Sequence, residues 1–366
     1  MTETRPSDRQ ADDLLTGLVE RYSPSTREQP AVAYLVAWAQ AQGLAAHVDG
    51  AGNAVLTIGS GERTLLLLGH IDTVPGFIDV RREGARLYGR GAVDAKGPLA
   101  TFAVAAARAR LPAGTRVMVV GAVEEEAATS KGARFLLDRL APARDLIPEV
   151  GFVPEGGFVP EAVVIGEPSG WDRLTVGYKG RLLVDYTLER EIGHTAGPDG
   201  SACDEAFAFR QQVQSLVDPA PRVFDQLTPT LRAMRSHSDG FTETAELTLG
   251  FRLPLEFDID ALIARLNEAA GDAQLRFRGR EPAFRAAKNT PLARAFIGAI
   301  DAEGGRAQFK VKSGTSDMNV VGPVWGCPIL AYGPGDSALD HTPHEHIDLD
   351  EYHRAIAVLT RVLQTI

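Results

Sequence analysis

Cysteine is almost missing from this sequence. Its 366 residues hold only Cys203 and Cys327, far apart and in no metal-binding or redox spacing. That excludes a disulfide framework, and both read as reduced thiols. Long apolar runs are missing too. No window reaches the length of a membrane-spanning helix, and the polar stretch from Met1 to Asp13 lacks the apolar segment of a secretory signal. The expected location is the cytoplasm. An excess of positive charge is also lacking. The formal net charge is −10, from 38 basic and 48 acidic residues, which argues against a general binder of nucleic acid or anionic membrane. It leaves room for a local basic pocket. Internal repeats, low-complexity tracts and the Gly-x-Ser-x-Gly elbow of a serine hydrolase are absent as well.

What is present suits a folded globular protein. The chain is 44% hydrophobic and 23% charged, and long enough for one large or two moderate domains. Three apolar runs read as strands of a sheet covered on both faces. Thr64–Leu68 leads into Gly69-His70-Ile71-Asp72, Thr115–Val123 into Glu124-Glu125-Glu126, and Ala162–Ile165 into Gly166-Glu167-Pro168. Each ends in groups able to bind metal, and ligands of open α/β sheets gather at the carboxyl ends of strands. Helices are predicted from near Ala11, over Gln29–Gln42, Gly97–Arg110, Ser130–Leu140 and Leu292–Glu303, and at the end over Leu349–Ile366. From about Val176 the texture changes. Strand, helix, strand, helix and strand follow at Leu182–Leu188, Ala202–Val217, Thr244–Phe251, Ile259–Ala270 and Gln274–Arg278. The expected fold class is α/β, with a larger domain at 1–175 and 285–366 interrupted by a small α+β domain at 176–284.

Read alone, each polar block has two readings. In an extended segment His70 and Asp72 lie on one face, so Asp72 can accept from the imidazole N–H that points away from a metal. The plainer reading is a turn with a capping Asp. Asp94, in Gly91-Ala92-Val93-Asp94-Ala95-Lys96-Gly97-Pro98, is either a helix N-cap or a ligand bridging two metals. Glu124 to Glu126 are either a solvated run or a site at a strand end. Glu167 is a strand-end carboxylate fixed by the following Pro168. Asp340-His341-Thr342-Pro343-His344-Glu345-His346 holds three of the eight histidines, and Pro343 breaks any helical His-x-x-x-His pairing. One of the three is expected to be a ligand. Together, histidines and surplus carboxylates without cysteine suit zinc, cobalt or manganese in an open, carboxylate-bridged pair. One glutamate remains over for a general base.

These blocks, in this order, resemble the dinuclear metallohydrolases of the acetylornithine deacetylase, succinyl-diaminopimelate desuccinylase and carboxypeptidase G2 type, the M20 family. The resemblance covers essentially the whole chain. It implies a mixed-sheet zinc-peptidase-like catalytic domain, and an inserted lid and dimerisation domain that makes a homodimer. It implies two divalent metal ions per subunit, zinc first and cobalt as the alternative. His70 and Glu167 would bind the first ion, Glu126 and His341 the second, and Asp94 both, with a cis peptide at Asp94–Ala95. Asp72 would orient His70, and Glu125 would be the general base. In the inserted domain, His194 resembles the residue that reaches a neighbouring subunit's site to steady the tetrahedral intermediate. Arg252 resembles the arginine that holds a substrate carboxylate. The chain departs from the family pattern in having Glu124 for Asp, Ala95 for Met, and no evident asparagine in Ser236–Thr242.

Gly166-Glu167-Pro168-Ser169-Gly170-Trp171, Gly177-Tyr178-Lys179-Gly180-Arg181 and Ser313-Gly314-Thr315-Ser316-Asp317-Met318-Asn319 are similar to one subgroup. Its members release lysine or ornithine from the amino-group carrier protein LysW in lysine and arginine biosynthesis. There the carrier's C-terminal glutamate side chain is joined by an amide to the amino acid's α-amino group. The resemblance implies that Lys310 and Lys312 bind substrate, and that Lys131, Arg134, Lys179 and Arg181 join them in a basic rim for an acidic carrier. Acetylornithine, succinyl-diaminopimelate and dipeptides are the alternative substrates.

Overall fold

A computed structural model describes residues 5–140, 159–194, 200–217 and 219–366. The chain divides into two compact units. The first comprises Met1–Val176, Ala286–Lys310 and Ser316–Ile366. The second comprises Gly177–Arg285 with Val311–Thr315.

The first unit is built on a mixed sheet. Its strands lie in the order Ala45–Val48, Ala54–Gly59, Thr115–Ala122, Arg63–His70, Ala162–Gly166, Ile329–Tyr332 and Arg173–Tyr178. From Thr115–Ala122 to Ile329–Tyr332 the neighbours run parallel, and Ala54–Gly59 pairs antiparallel with Thr115–Ala122. The central strands are apolar throughout because both faces are covered. Leu66, Leu67, Leu68, Val117, Val119 and Val163 have no exposed surface. Helices Asp8–Glu20, Lys96–Arg108, Pro291–Ala302 and Leu349–Thr365 share one core with them. The first helix begins at Asp8, three residues before the sequence pattern suggests, because Ser7 and Gln10 form a capping box.

Register decides where the site forms. Gly69 stands opposite both Gly121 and Gly166, and His70 opposite Ala122. The carboxyl ends of three strands are therefore level, and the residues that follow emerge together. Glycine is required at this level. A Cβ on Gly166 would lie 2.8 Å from Gly69 Cα and 3.0 Å from the Phe102 ring.

The second unit is a four-stranded antiparallel sheet in the order Thr228–Ser238, Thr242–Leu253, Gly180–Glu191 and Gln274–Glu281. Leu182, Tyr186, Leu247 and Phe251 form a core with Phe209 of helix Ala202–Ser215 and Leu266 of helix Ile259–Ala270. Thr228–Ser238 is a strand that the sequence pattern does not announce. It is an edge strand, largely exposed, so no apolar alternation marks it. Val311–Thr315 groups with this unit because Lys179 N donates to Lys312 O and Thr315 Oγ1 donates to Lys179 O. Among the described residues no helix is long and apolar enough to cross a membrane.

Candidate metal centre

At the carboxyl end of the first unit's sheet, His70, Asp94, Glu125, Glu126, Glu167 and His341 come together. His70 Nε2 lies 3.2 Å from Asp94 Oδ1, 3.9 Å from Glu167 Oε1 and 4.0 Å from Glu125 Oε2. His341 Nε2 lies 3.0 Å from both Asp94 Oδ2 and Glu126 Oε1. Asp94 thus turns one oxygen to each histidine. Two sets result, His70 with Asp94 and Glu167, and Asp94 with Glu126 and His341. In each set the ligand atoms all lie within 4.8 Å of one another, close enough to hold a metal ion. Ligands ~2.1 Å from a tetrahedral zinc stand roughly 3.4 Å apart, so these spacings suit one ion per set with Asp94 shared.

The local backbone explains the convergence. Helix Lys96–Arg108 takes Ala95 as its N-cap with no side-chain cap, so Asp94 is free of the capping role that the sequence left open. The Asp94–Ala95 peptide is cis. His341 has φ +62, a left-handed conformation that a non-glycine residue adopts only when its surroundings hold it there. His70 is 2% exposed, whereas the His341 side chain is half exposed, so the centre opens on the His341 side.

Asp72 has more partners than the sequence expectation gave it. His70 Nδ1 is nearest the Asp72 main-chain oxygen, at 3.1 Å, with the carboxylate Oδ1 at 3.5 Å. The buried carboxylate also collects donors from elsewhere. Glu125 N donates to Oδ1 at 3.1 Å, Glu126 N to Oδ2 at 3.0 Å, and Ser25 Oγ to Oδ2 at 2.7 Å. Glu28 does the same for the preceding residue, accepting from Glu124 N at 3.2 Å. Glu124 itself turns away, taking a bond from Thr129 Oγ1 and standing 3.5 Å from Lys131 Nζ.

Carboxylates outnumber cations here, and the proton affinities reflect it. Burial raises Glu125 well above the usual carboxylate range, against the pull of His70, and Glu167, Asp317 and Glu126 raise it further. Burial and Asp94 raise Glu126. Hydrogen bonds to Asp94 and Glu126 lift His341 to about 11. Burial opposes a charge on His70, yet Asp72 and Asp94 raise it. Such a cluster attracts cations, and its oxygen and imidazole donors match hard and borderline divalent metals.

The remaining predicted residues are not members of these sets. Lys310 belongs to the first unit, where it lines a cleft with Trp171, Asp172 and Asp336. His194, Arg252 and Lys312 belong to the second unit. His194 is exposed, and 195–199, the rest of its Gly-His-Thr-Ala-Gly stretch, lies outside the described residues. Arg252 donates to Thr315 Oγ1 and stands opposite Arg181 on the neighbouring strand. Lys179 does not join a basic rim. It is fully buried, and its ammonium donates to Val223 O, Gln226 O and Thr228 Oγ1. Sequence reasoning also missed Glu28, Arg90 and Glu345, which support the site from below. Only Glu345 carried a signal, its place four residues after His341.

Comparison with known proteins agrees with this arrangement. The model of peptidase family M20/M25/M40 matches residues 66–365. A LysW-lysine hydrolase of Deinococcus radiodurans is 44% identical, over 99% of this chain and 98% of that one. A LysW-lysine/LysW-ornithine hydrolase of Saccharolobus islandicus is 30% identical, over 96% of this chain and 94% of that one. An M20 family metallo-carboxypeptidase from Sulfolobus solfataricus has the same fold, with TM-score 0.76 at 18% identity over 96% of this chain and 98% of that one. With a family model that spans residues 66–365 and relatives of 30–44% identity over nearly the whole chain, the chain belongs to peptidase family M20/M25/M40.

Proposed function

We propose that the chain is an amide hydrolase that frees lysine, or ornithine, from the C-terminal glutamate of the carrier protein LysW. The observation that carries the substrate is the 44% identity with a LysW-lysine hydrolase over nearly the full length of both chains. The chemistry rests on the two ligand sets that share Asp94. His70, Asp94 and Glu167 would hold one divalent ion, and Asp94, Glu126 and His341 the other. Zinc is the ion we assign, and cobalt suits the same donors. When bound, the ion pair polarises a carbonyl and lowers the pKa of a water toward ~7.

The chain's own groups handle the proton. Glu125 accepts one from the attacking water and passes it to the departing α-amine. Its buried carboxylate, with raised proton affinity, suits that exchange. Asp72 keeps Glu125 and Glu126 in place through their N–H groups. In the second unit, the resemblance assigns His194 to the oxyanion and Arg252 to a substrate carboxylate, which a guanidinium grips with two parallel bonds. Lys310 and Lys312 complete the substrate contacts. The second unit also pairs the chain into a homodimer. Its edge strand Thr228–Ser238, with Leu231 and Met234 exposed, supports that role.

The test is mass spectrometry of LysW carrying lysine, or ornithine, after incubation with the enzyme plus zinc or cobalt. The expected result is loss of the amino acid's mass from the carrier. Faster turnover of N-acetylornithine than of either conjugate would overturn the substrate assignment.

A further inference from the structure

A further buried carboxylate, a member of neither ligand set, grips the main chain that carries Asp94. Glu345 is 1% exposed. Its Oε1 accepts from Val93 N at 3.0 Å and Asp94 N at 3.1 Å. Its Oε2 accepts from Arg90 Nη1 at 2.8 Å. Its own carbonyl accepts from Gly89 N at 3.3 Å. Arg90 is 6% exposed, and its Nε donates to Gly76 O at 2.8 Å. One residue therefore ties down the loop from Gly89 to Asp94, and it sits four residues after His341.

This placement matters because Asp94 must serve two partners. Its oxygens diverge by one carboxylate width, to His70 on one side and His341 on the other. A small rotation of the Asp94 backbone would favour one partner and abandon the other. The Val93 and Asp94 N–H groups are what Glu345 grips, so it fixes that rotation. It also joins the Asp94 loop to the segment that carries His341, so the two halves of the second set are held by one residue.

Resting on the ligand assignment above, we propose that Glu345 is a positioning residue for the metal pair: its Oε1, as acceptor for Val93 N and Asp94 N, sets Asp94 to bridge. Arg90 is the counter-ion that lets this carboxylate be buried. Partners that orient ligands typically change metal affinity by about 10–100-fold when lost.

Two double variants separate the acceptor from the charge. Arg90→Met with Glu345→Gln removes the buried ion pair but keeps an oxygen for the two N–H groups. Arg90→Met with Glu345→Leu removes both. Cobalt titration followed by visible absorption reads affinity and stoichiometry, and circular dichroism of the metal-free proteins reads folding. The expected result is two cobalt ions per chain for wild type and for the glutamine variant, within about threefold in affinity, and at least one ion bound about 10–100-fold more weakly by the leucine variant. Equal cobalt binding by the two doubles overturns the proposal. Should the leucine variant not fold, Glu345→Asp takes its place. It keeps the charge beside Arg90 but retracts the acceptor, so weakened cobalt binding supports the proposal and wild-type binding overturns it. A wild-type protein that takes up no cobalt overturns the ligand assignment itself, and this proposal with it.

Discussion

Replacing Asp72 by asparagine separates two accounts of what that residue does. Asp72 is fully buried, and its carboxylate accepts from Glu125 N, Glu126 N and Ser25 Oγ at 3.1, 3.0 and 2.7 Å. Asparagine has the same shape but one oxygen and one NH₂. With its oxygen toward Glu126 N and Ser25, its NH₂ faces Glu125 N–H, donor against donor. In the other orientation, Glu126 N faces the NH₂ instead. Either way at least one buried N–H loses a bond to a charged acceptor, worth ~1.5–3 kcal/mol, and stays unsatisfied at a further ~1–3 kcal/mol. The expected loss is therefore roughly 2.5–6 kcal/mol, a large part of the ~5–15 kcal/mol that holds a typical domain together. It should appear in urea unfolding of the metal-free protein, so that metal linkage does not mask it. Activity should fall by ~100-fold or more, because a misplacement of ~1 Å at a reacting group has that effect. If Asp72 acted only by orienting His70, asparagine would be mild. The Asp72 main-chain oxygen, already nearer to Nδ1, would hold the ring alone. Stability within ~1 kcal/mol of wild type would refute the reasoning about Glu125 and Glu126.

Two further substitutions test neighbouring links. Glu125→Gln should keep two cobalt ions per chain yet lose about 10²–10⁴-fold in kcat, the usual contribution of a general base, and near-full turnover would remove Glu125 from that role. Gly166→Ala should destabilise by ~1–3 kcal/mol, because its Cβ would meet Gly69 Cα at 2.8 Å and main chain cannot swing aside. It should also weaken cobalt binding by parting the strands that lead to His70 and Glu167, and an unchanged melting temperature and titration would show that the register tolerates a methyl group there.

The parts of the fold legible in the sequence were those with a hydrophobic signal. Leu65–Leu68, Val117–Val120 and Ala162–Ile165 are buried or nearly so, and such runs announce themselves without any tertiary information. The edge strand Thr228–Ser238 had no such signal, since its side chains mostly face solvent and its place comes from pairing with Thr242–Leu253. Helix Asp317–Trp325 was hidden for another reason. Pro323 lies inside it, and its start depends on a Ser316–Asn319 capping box rather than on amphipathic spacing. At the centre, the residues that meet were legible because each follows an apolar run or a glycine-rich turn. Their supports were not. Glu28 lies on the approach to helix Gln29–Ala41 and Arg90 in a turn, and from sequence each looks like an ordinary surface charge. Lys179 misled in the opposite sense, since a lysine in a Gly-rich segment reads as a surface cation until its three oxygen partners are seen.

The row Glu124-Glu125-Glu126 shows how three adjacent like charges can be tolerated at a strand end. Their side chains repel, but their main-chain N–H groups do not, and those N–H groups are where the fold grips them. Glu28 takes the first, and the two oxygens of Asp72 take the second and third. The N–H groups fill acceptor positions on Glu28 and Asp72, so the row is anchored through main chain rather than through its own side chains. The left-handed turn at Glu124, φ +58, then sends its side chain toward Thr129 and Lys131. Glu126 is left to face His341 at 3.0 Å, and Glu125 to face His70 at 4.0 Å. The anchoring carboxylates hold main chain, whereas the working ones turn their oxygens to the two histidines. The negative charge thereby concentrates at one end of the sheet, where the two ligand sets form.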